Sequence, residues 1–244
     1  MGAEVTCAAC PLRQTAAFSG NTPEEIELVQ TFRRRQFDVE AGQDILRENG
    51  NGGELYTLFS GWAFRYRSLS DGRRQILNFM LPGDFVGLQQ QLTQNSPHGV
   101  QALTTVRLCE FPKSRLWDFF KHSPSMGYDI TWISAHEELI VDENLLSIGR
   151  RSAQERIAML LIHLYKRAES VGLGGPKGIS LPVNQQHVAD ALGLSLVHTN
   201  KSMRKMQHAG LYELADGHLR LGNLSAMQRL ADYYALPLRG RPLI

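Results

Sequence analysis

The 244-residue sequence is short of cysteine, short of net charge and without long apolar runs, and each shortage excludes a class of protein. Its three cysteines, Cys7, Cys10 and Cys109, are an odd number and do not make the paired framework of small secreted scaffolds. A metal or redox role for them stays open. No uncharged apolar run reaches about 18 residues, so no membrane-spanning helix is expected. Residues 1–13 lack the basic-then-apolar layout of a secretory signal. A soluble, cytoplasmic protein is the expectation. With 43% hydrophobic and 20% charged residues, 22 Gly and 10 Pro, the chain has globular composition and length for one large domain or two small ones, which excludes disorder and collagen.

The net charge of +2 conceals an asymmetry. Residues 1–149 carry 13 Lys+Arg against 18 Asp+Glu, residues 150–210 carry 9 against 3, and residues 211–244 carry 4 against 3. The basic excess lies in one stretch, the electrostatic footprint of nucleic-acid binding, although solvated helical faces share it. No nucleophile–base constellation or phosphate-cradling glycine loop is visible, so an enzyme is not expected.

Thr22-Pro23-Glu24-Glu25 predicts a capped helix running to about Arg35. Short β-rich runs follow, at 55–59, 62–68, 74–81, 100–104 and 107–111, separated by Asn49-Gly50, Ser60-Gly61, Asp71-Gly72 and Pro82-Gly83. Regular spacing of this kind predicts a small antiparallel barrel or roll. Ser123-Pro124 opens a long helix to about Gly149 with two apolar stripes, Trp132, Ala135, Leu139 and Leu146 on one and Val141, Leu145 and Ile148 on the other. One stripe can cover the roll; the second points to a partner, most simply a second copy of the chain, or to a broad buried face in a monomer. A second capping box at Ser152–Glu155 starts a helix to about Ser170, followed by a glycine-rich loop at 172–178 and a short strand at 179–181.

Residues 185–192 and 196–208 then read as two helices joined by Gly193-Leu194-Ser195. A DNA-reading helix-turn-helix needs a small residue in its first helix, Gly at the turn and apolar residues locking the pair; Ala189, Gly193, Val188, Leu192 and Leu194 supply them. Thr199 and Ser202 stand where bulkier apolar residues are commoner. The candidate DNA-contacting residues are Gln185, Gln186, Ser195, Val197, His198, Asn200, Lys201, Arg204 and Lys205. Asn can pair with adenine, and Lys can donate to guanine or phosphate. Residues 211–221, turning at Asp216-Gly217, read as a hairpin wing; a helical hairpin that binds protein is the alternative.

Together these residues resemble the Crp/Fnr family of bacterial transcription regulators. Residues 55–62 (LYTLFSGW), 70–76 (SDGRRQI), 81–88 (LPGDFVGL) and 108–112 (LCEFP) fall in the order of its β-roll sensor, and 153–158 (AQERIA) and 184–195 in the order of its winged helix. The resemblance covers residues 7–236 and implies an α+β fold. Its N-terminal antiparallel β-roll, cupin-like and cyclic-nucleotide-binding-like, would span 1–122 with the cysteine segment. A dimerisation helix would span 123–150, and a C-terminal winged helix-turn-helix 151–244. It further implies a homodimer with Glu138, Val141, Leu145 and Ile148 along the seam, a palindromic double-stranded DNA site, and RNA polymerase as a partner.

Departures from the family set the subtype. Members that bind cyclic AMP carry a Glu and an Arg-Ser pair in the segment matching 85–102; here Leu88 and His98-Gly99-Val100 stand near those places, with no Arg between Phe85 and Leu103. A buried phosphate would lack its cationic fork, so cyclic AMP is not expected in the usual mode. Cys7, Cys10 and Cys109 match three ligands of the iron–sulfur (4Fe-4S) cluster of the oxygen-sensing branch, while the remaining ligand would fall near Ala16, which cannot coordinate. A cluster sensing oxygen, nitric oxide or redox state is the leading expectation; a small organic effector, an absence of metal, thiol redox chemistry and zinc are the alternatives. Val197 and Lys201 replace the family's Glu and Arg in the reading helix, so a different operator is expected.

Overall fold

The computed structural model describes residues 4–91, 95–234 and 240–244. Along the chain lie α1 (Pro23–Phe32), β1 (Arg35–Val39), β2 (Asp44–Leu46), β3 (Leu55–Ser60), β4 (Ala63–Ser68), β5 (Arg74–Met80), β6 (Phe85–Val86), β7 (Gly99–Ala102) and β8 (Val106–Phe111). Then follow α2 (Leu116–His122), α3 (Pro124–Arg150), α4 (Ala153–Ser170), β9 (Gly174–Gly175), β10 (Gly178–Ser180), α5 (Gln185–Leu192), α6 (Leu196–His208), β11 (Tyr212–Ala215), β12 (His218–Leu221) and α7 (Leu224–Ala231). By their internal contacts these form two units: Met1–Arg67 with Met80–Leu139 and Arg239–Ile244, and Ser68–Phe79 with Ile140–Leu238. The sensor-like sheets, long helices and C-terminal helix pair are those expected from the sequence.

In the first unit one sheet runs β1-β8-β3-β6, antiparallel throughout, and in another β7 lies between β2 and β4. Leu58, Val86, Val100, Val106 and Leu108 fill the core of the roll. Val29 of α1, Phe119 of α2 and Met126 and Ile130 of α3 join Leu55 and Phe111 in a second core, with the Phe32 and Phe119 rings edge to face at 4.5 Å. Alternation of apolar residues in the strands and their 3–4 spacing in the helices produce this layering. Gly61, at the expected turn, has φ +89°, and a Cβ there would come within 2.6 Å of the Thr105 carbonyl oxygen.

Three strands escape the sequence pattern. The first helix stops at Phe32 rather than Arg35, and β1 follows with half-buried Phe37 and Val39 packed against the roll core and polar Gln36 buried on the opposite side of the strand. β2 and β6 are only three and two residues long. The capping box at Thr22 forms as expected, with Glu25 N donating to Thr22 Oγ1 at 3.2 Å and Thr22 N to the Glu25 carboxylate at 2.9 Å.

In the second unit α4 is the hub, burying Ile157, Ala158, Leu161, Ile162 and Leu164 against α5, α6 and α7. A small sheet runs β11-β12-β10-β9, so the glycine-rich segment expected to be a loop carries the short strand β9, paired through Ile179 and Gly174. Residues 68–79, the tip of the hairpin after β4, also belong to this unit. Arg74 pairs with Asp190 at 2.9 Å, Gln75 Nε2 donates to the Ala191 carbonyl at 2.8 Å, and Arg167 donates to the Phe79 carbonyl at 2.9 Å. Among the described residues no helix is long and apolar enough to cross a membrane.

Candidate nucleic-acid interface and sensor cavity

The two helices of the candidate interface are fixed at each end by their own side chains. Asn184 caps α5, accepting from His187 N at 2.9 Å; Gly193 ends it in the left-handed region at φ +63°; Ser195 caps α6, accepting from His198 N at 3.2 Å. Val188, Ala189 and Leu192 of α5 and Thr199, Ser202, Met203 and Met206 of α6 are buried. Small Thr199 and Ser202 are thus true core residues here, the long methionines filling the space beside them. Thr199 Oγ1 is buried without a hydrogen-bond partner among the described residues.

On the other face Gln185, Gln186, Ser195, Val197, His198, Lys201, Arg204 and Lys205 are exposed, Val197 at 79%. Val197, Lys201, Arg204, Lys205 and His208 follow one another at helical spacing along one side of α6. Among the described residues Lys201, Arg204 and Lys205 make no ion pair. Asn200 differs from the other candidates: it is half-buried, and its Oδ1 is buried without a hydrogen-bond partner. Gln186 is engaged locally, donating to Asp190 at 2.7 Å. The wing adds exposed Arg220, 3.7 Å from Glu213 across the β11–β12 pair, and exposed Lys177 stands in the β9–β10 turn. The sequence reading named neither, though an outward cation on an alternating strand is the signal for Arg220.

Along α3, Glu138 is exposed, Val141, Leu145 and Leu146 are exposed apolar residues, with Leu145 at 69%, and Ile148 is half-buried. Leu139 is exposed as well. Apolar side chains at this spacing, open to water in a single chain, are what a helix offers to a partner.

In the first unit Cys7, Cys10 and Cys109 line one cavity, together with Arg33, Leu243 and Ile244. Cys109 on β8 is flanked by Gln36 of β1 and Thr57 of β3, and Gln36 Nε2 donates to its sulfur at 3.2 Å. The N-terminal segment is held over this sheet: Cys7 N donates to Gln30 Oε1 at 2.7 Å, and Arg13 Nε donates to the Cys7 carbonyl at 3.0 Å. Burial pushes the Cys7 and Cys109 thiols up, against the opposing pull of nearby Arg33. The cavity holds about 20 Å³, room for about one water. Its lining contains no His, Asp or Glu, and among the described residues no group of three His, Cys, Asp or Glu side chains is disposed to hold a metal ion. A cluster does not fit the site in this closed arrangement.

Where the sequence placed the cyclic-phosphate region, His98 is buried and Leu88 half-buried. Burial, aided by the charges of Arg65 and Arg67, lowers the His98 pKa to about 4. A cation is therefore near this place after all, from β4: Arg65 is buried and pairs with Glu137 of α3 at 3.1 Å. Arg65 lies on β4, outside the segment 85–103 that the sequence singled out.

A β-roll joined in one chain to a capped helix-turn-helix with a bare cationic face and a wing defines a DNA-binding transcription regulator. A family model described as a cyclic nucleotide-binding domain matches residues 36–123, and one described as a Crp-like helix-turn-helix domain matches residues 155–230. The chain belongs to the Crp/Fnr family. It is similar to the nitrogen fixation regulation protein FixK of Bradyrhizobium diazoefficiens, 27% identical over 225 residues, covering 92% of this chain and 93% of that protein. It is also similar to the transcriptional activatory protein AadR of Rhodopseudomonas palustris, 29% identical over 194 residues, covering 79% of this chain and 80% of that one. Among solved structures, FixK2 from Bradyrhizobium japonicum superposes with a TM-score of 0.73 at 24% identity, over 83% of this chain and 98% of that chain. These relatives are named as regulators, in keeping with the expectation that the chain is not an enzyme.

Proposed function

We propose that the chain acts as a homodimer that presents two copies of α6 to a palindromic double-stranded DNA site, works with RNA polymerase, and answers a small organic effector other than cyclic AMP in its usual mode, without a resident metal. The observation that carries the DNA-reading part is the exposed face of α6, where Lys201, Arg204 and Lys205 stand without ion pairs above a buried opposite face. Cations left uncompensated on a capped helix are available to phosphates and base edges. Dimerisation is supported by the exposed Val141 and Leu145 and by half-buried Ile148. Leu145→Glu with Ile148→Glu sets like charges opposite their symmetry mates. The expected result in analytical ultracentrifugation is a monomer with loss of operator binding; a dimeric double variant refutes the seam.

A second reading keeps the iron–sulfur cluster, held by Cys7, Cys10 and Cys109 with a non-cysteine fourth ligand, and what favours it is that the three thiols share one cavity. It requires that cavity to open beyond the room for one water. Absorbance spectra with iron and sulfide assays on anaerobically purified protein separate the readings. Visible absorbance with stoichiometric iron and sulfide overturns the metal-free reading; their absence, with retained DNA binding, removes the cluster.

A further inference from the structure

Residues 240–244 follow α7 in sequence, yet they belong to the first unit. Arg241 is fastened there from several sides. Its guanidinium donates to the Asp84 carboxylate and, at 2.9 Å, to the Pro82 carbonyl, and it lies 4.8 Å from the centroid of the Phe18 ring. Its backbone N donates to the Ala17 carbonyl at 2.9 Å, and its carbonyl accepts from Ser19 N at 2.9 Å. Asp84 is 3% exposed, so the pair is made between largely desolvated charges. Beyond it Leu243 and Ile244 are buried, and the Thr57 hydroxyl donates to the Ile244 carbonyl. Thr57 is the residue paired with Cys109 across β3 and β8, and Leu243 and Ile244 line the cavity that the three cysteines share.

We propose that residues 240–244 form a lid over the cysteine cavity, latched by Arg241 on Asp84, that controls chemical access to Cys7 and Cys109. A thiol reacts as the thiolate and only where a reagent can reach it; burial suppresses both conditions. Two buried aliphatic side chains, Leu243 and Ile244, line the cavity beside the thiols from a segment five residues long, which can detach without opening a sheet, as local openings of short segments do. Whatever acts on these two cysteines must first displace the tail. The tail covers the two thiols whether or not a metal binds, and thiol labelling reads that cover without iron or DNA.

The test is the rate of N-ethylmaleimide labelling of each cysteine in the full-length protein, resolved by mass spectrometry. In the wild type Cys10 labels first and Cys7 and Cys109 lag. Arg241→Ala is expected to raise labelling of Cys7 and Cys109 about tenfold, and a chain ending at residue 239 to raise it further, with Cys10 little changed. Amide protection of β3 and β8 should stay at wild-type level in both. Unchanged Cys7 and Cys109 rates in the folded Arg241→Ala protein overturn the proposal, as does a rise that comes with loss of β3 and β8 protection. Should both variants fail to fold, the milder Arg241→Lys decides: faster labelling of the two buried thiols supports the lid, and wild-type rates overturn it.

Discussion

The arginines of the first unit and the cations of α6 carry the same charge to different ends. Arg34 and Arg35 both reach Glu110, Arg65 reaches Glu137, Arg107 reaches Asp38 and Arg241 reaches Asp84. In the basic stretch 150–210 the arginines nearest the core behave likewise: Arg151 holds Glu143, Arg156 donates to the Leu192 carbonyl and Arg167 to the Phe79 carbonyl. Lys201, Arg204 and Lys205 have no such duty. The excess of positive charge read from the sequence is therefore partly structural, and only its remainder faces outward. A charge count locates a nucleic-acid-binding segment; burial and pairing separate the cations that read from those that hold.

The strongest way to break the contrast is to remove the three unpaired cations. Lys201→Ala, Arg204→Ala and Lys205→Ala together should lower operator affinity about a thousandfold at moderate salt and flatten its salt dependence, with thermal stability unchanged. Fluorescence anisotropy across a salt series measures both; taken singly, Lys201→Ala should relax discrimination at one half-site position and Lys205→Ala reduce the salt slope by about 1.

The converse substitution, Glu137→Gln, strands the buried Arg65 guanidinium and should cost about 3 kcal/mol in a urea titration while leaving the affinity of the folded protein for DNA nearly intact. Equal losses of stability in the α6 variant and in Glu137→Gln would erase the distinction between the two sets of charges.

A smaller effect comes from two histidines, one in each unit. His98 and His163 each have a pKa lowered to about 4, burial being the first cause. Because the unfolded chain binds their protons near pH 6.5, both favour the folded state above that pH, and this contribution is lost as pH falls towards 4. Urea midpoints measured from pH 7 to 4.5 should fall in the wild type. His98→Gln and His163→Gln should each flatten that fall.

Where chain-local chemistry decides, the fold was legible in the sequence. Asn184, Gly193 and Ser195 set both ends of the helix pair, and α5 and α6 lie at the expected residues. The capping boxes at Thr22 and Ser152 likewise start α1 and α4 where expected. What escaped depends on partners distant in the chain. β1 hides because Gln36 turns inward towards Cys109, seventy-three residues away. Arg65 hides because the segment that suggested a phosphate site lies on other strands, and Glu137, which explains its burial, lies on α3. The approach of Cys7 and Cys10 to Cys109 was expected from the resemblance, but the closeness of the cavity wall was not, since it is completed by residues 240–244. Nothing in the Arg-Pro-Leu-Ile run of the tail signals a docking segment; its partners Phe18, Thr57 and Asp84 come from three separate places.

That tail also orders events during synthesis. A growing chain emerges amino-terminus first, and a domain can complete its packing only when every segment that contributes to its core has left the ribosome. The roll gathers residues from Cys7 to Ile130 into one core and still waits for Ile244, so α4 to α7 are translated while one wall of that core is missing. The DNA-binding helices can assemble first, from neighbours close in sequence, and the sensor is sealed only when residues 240–244 arrive.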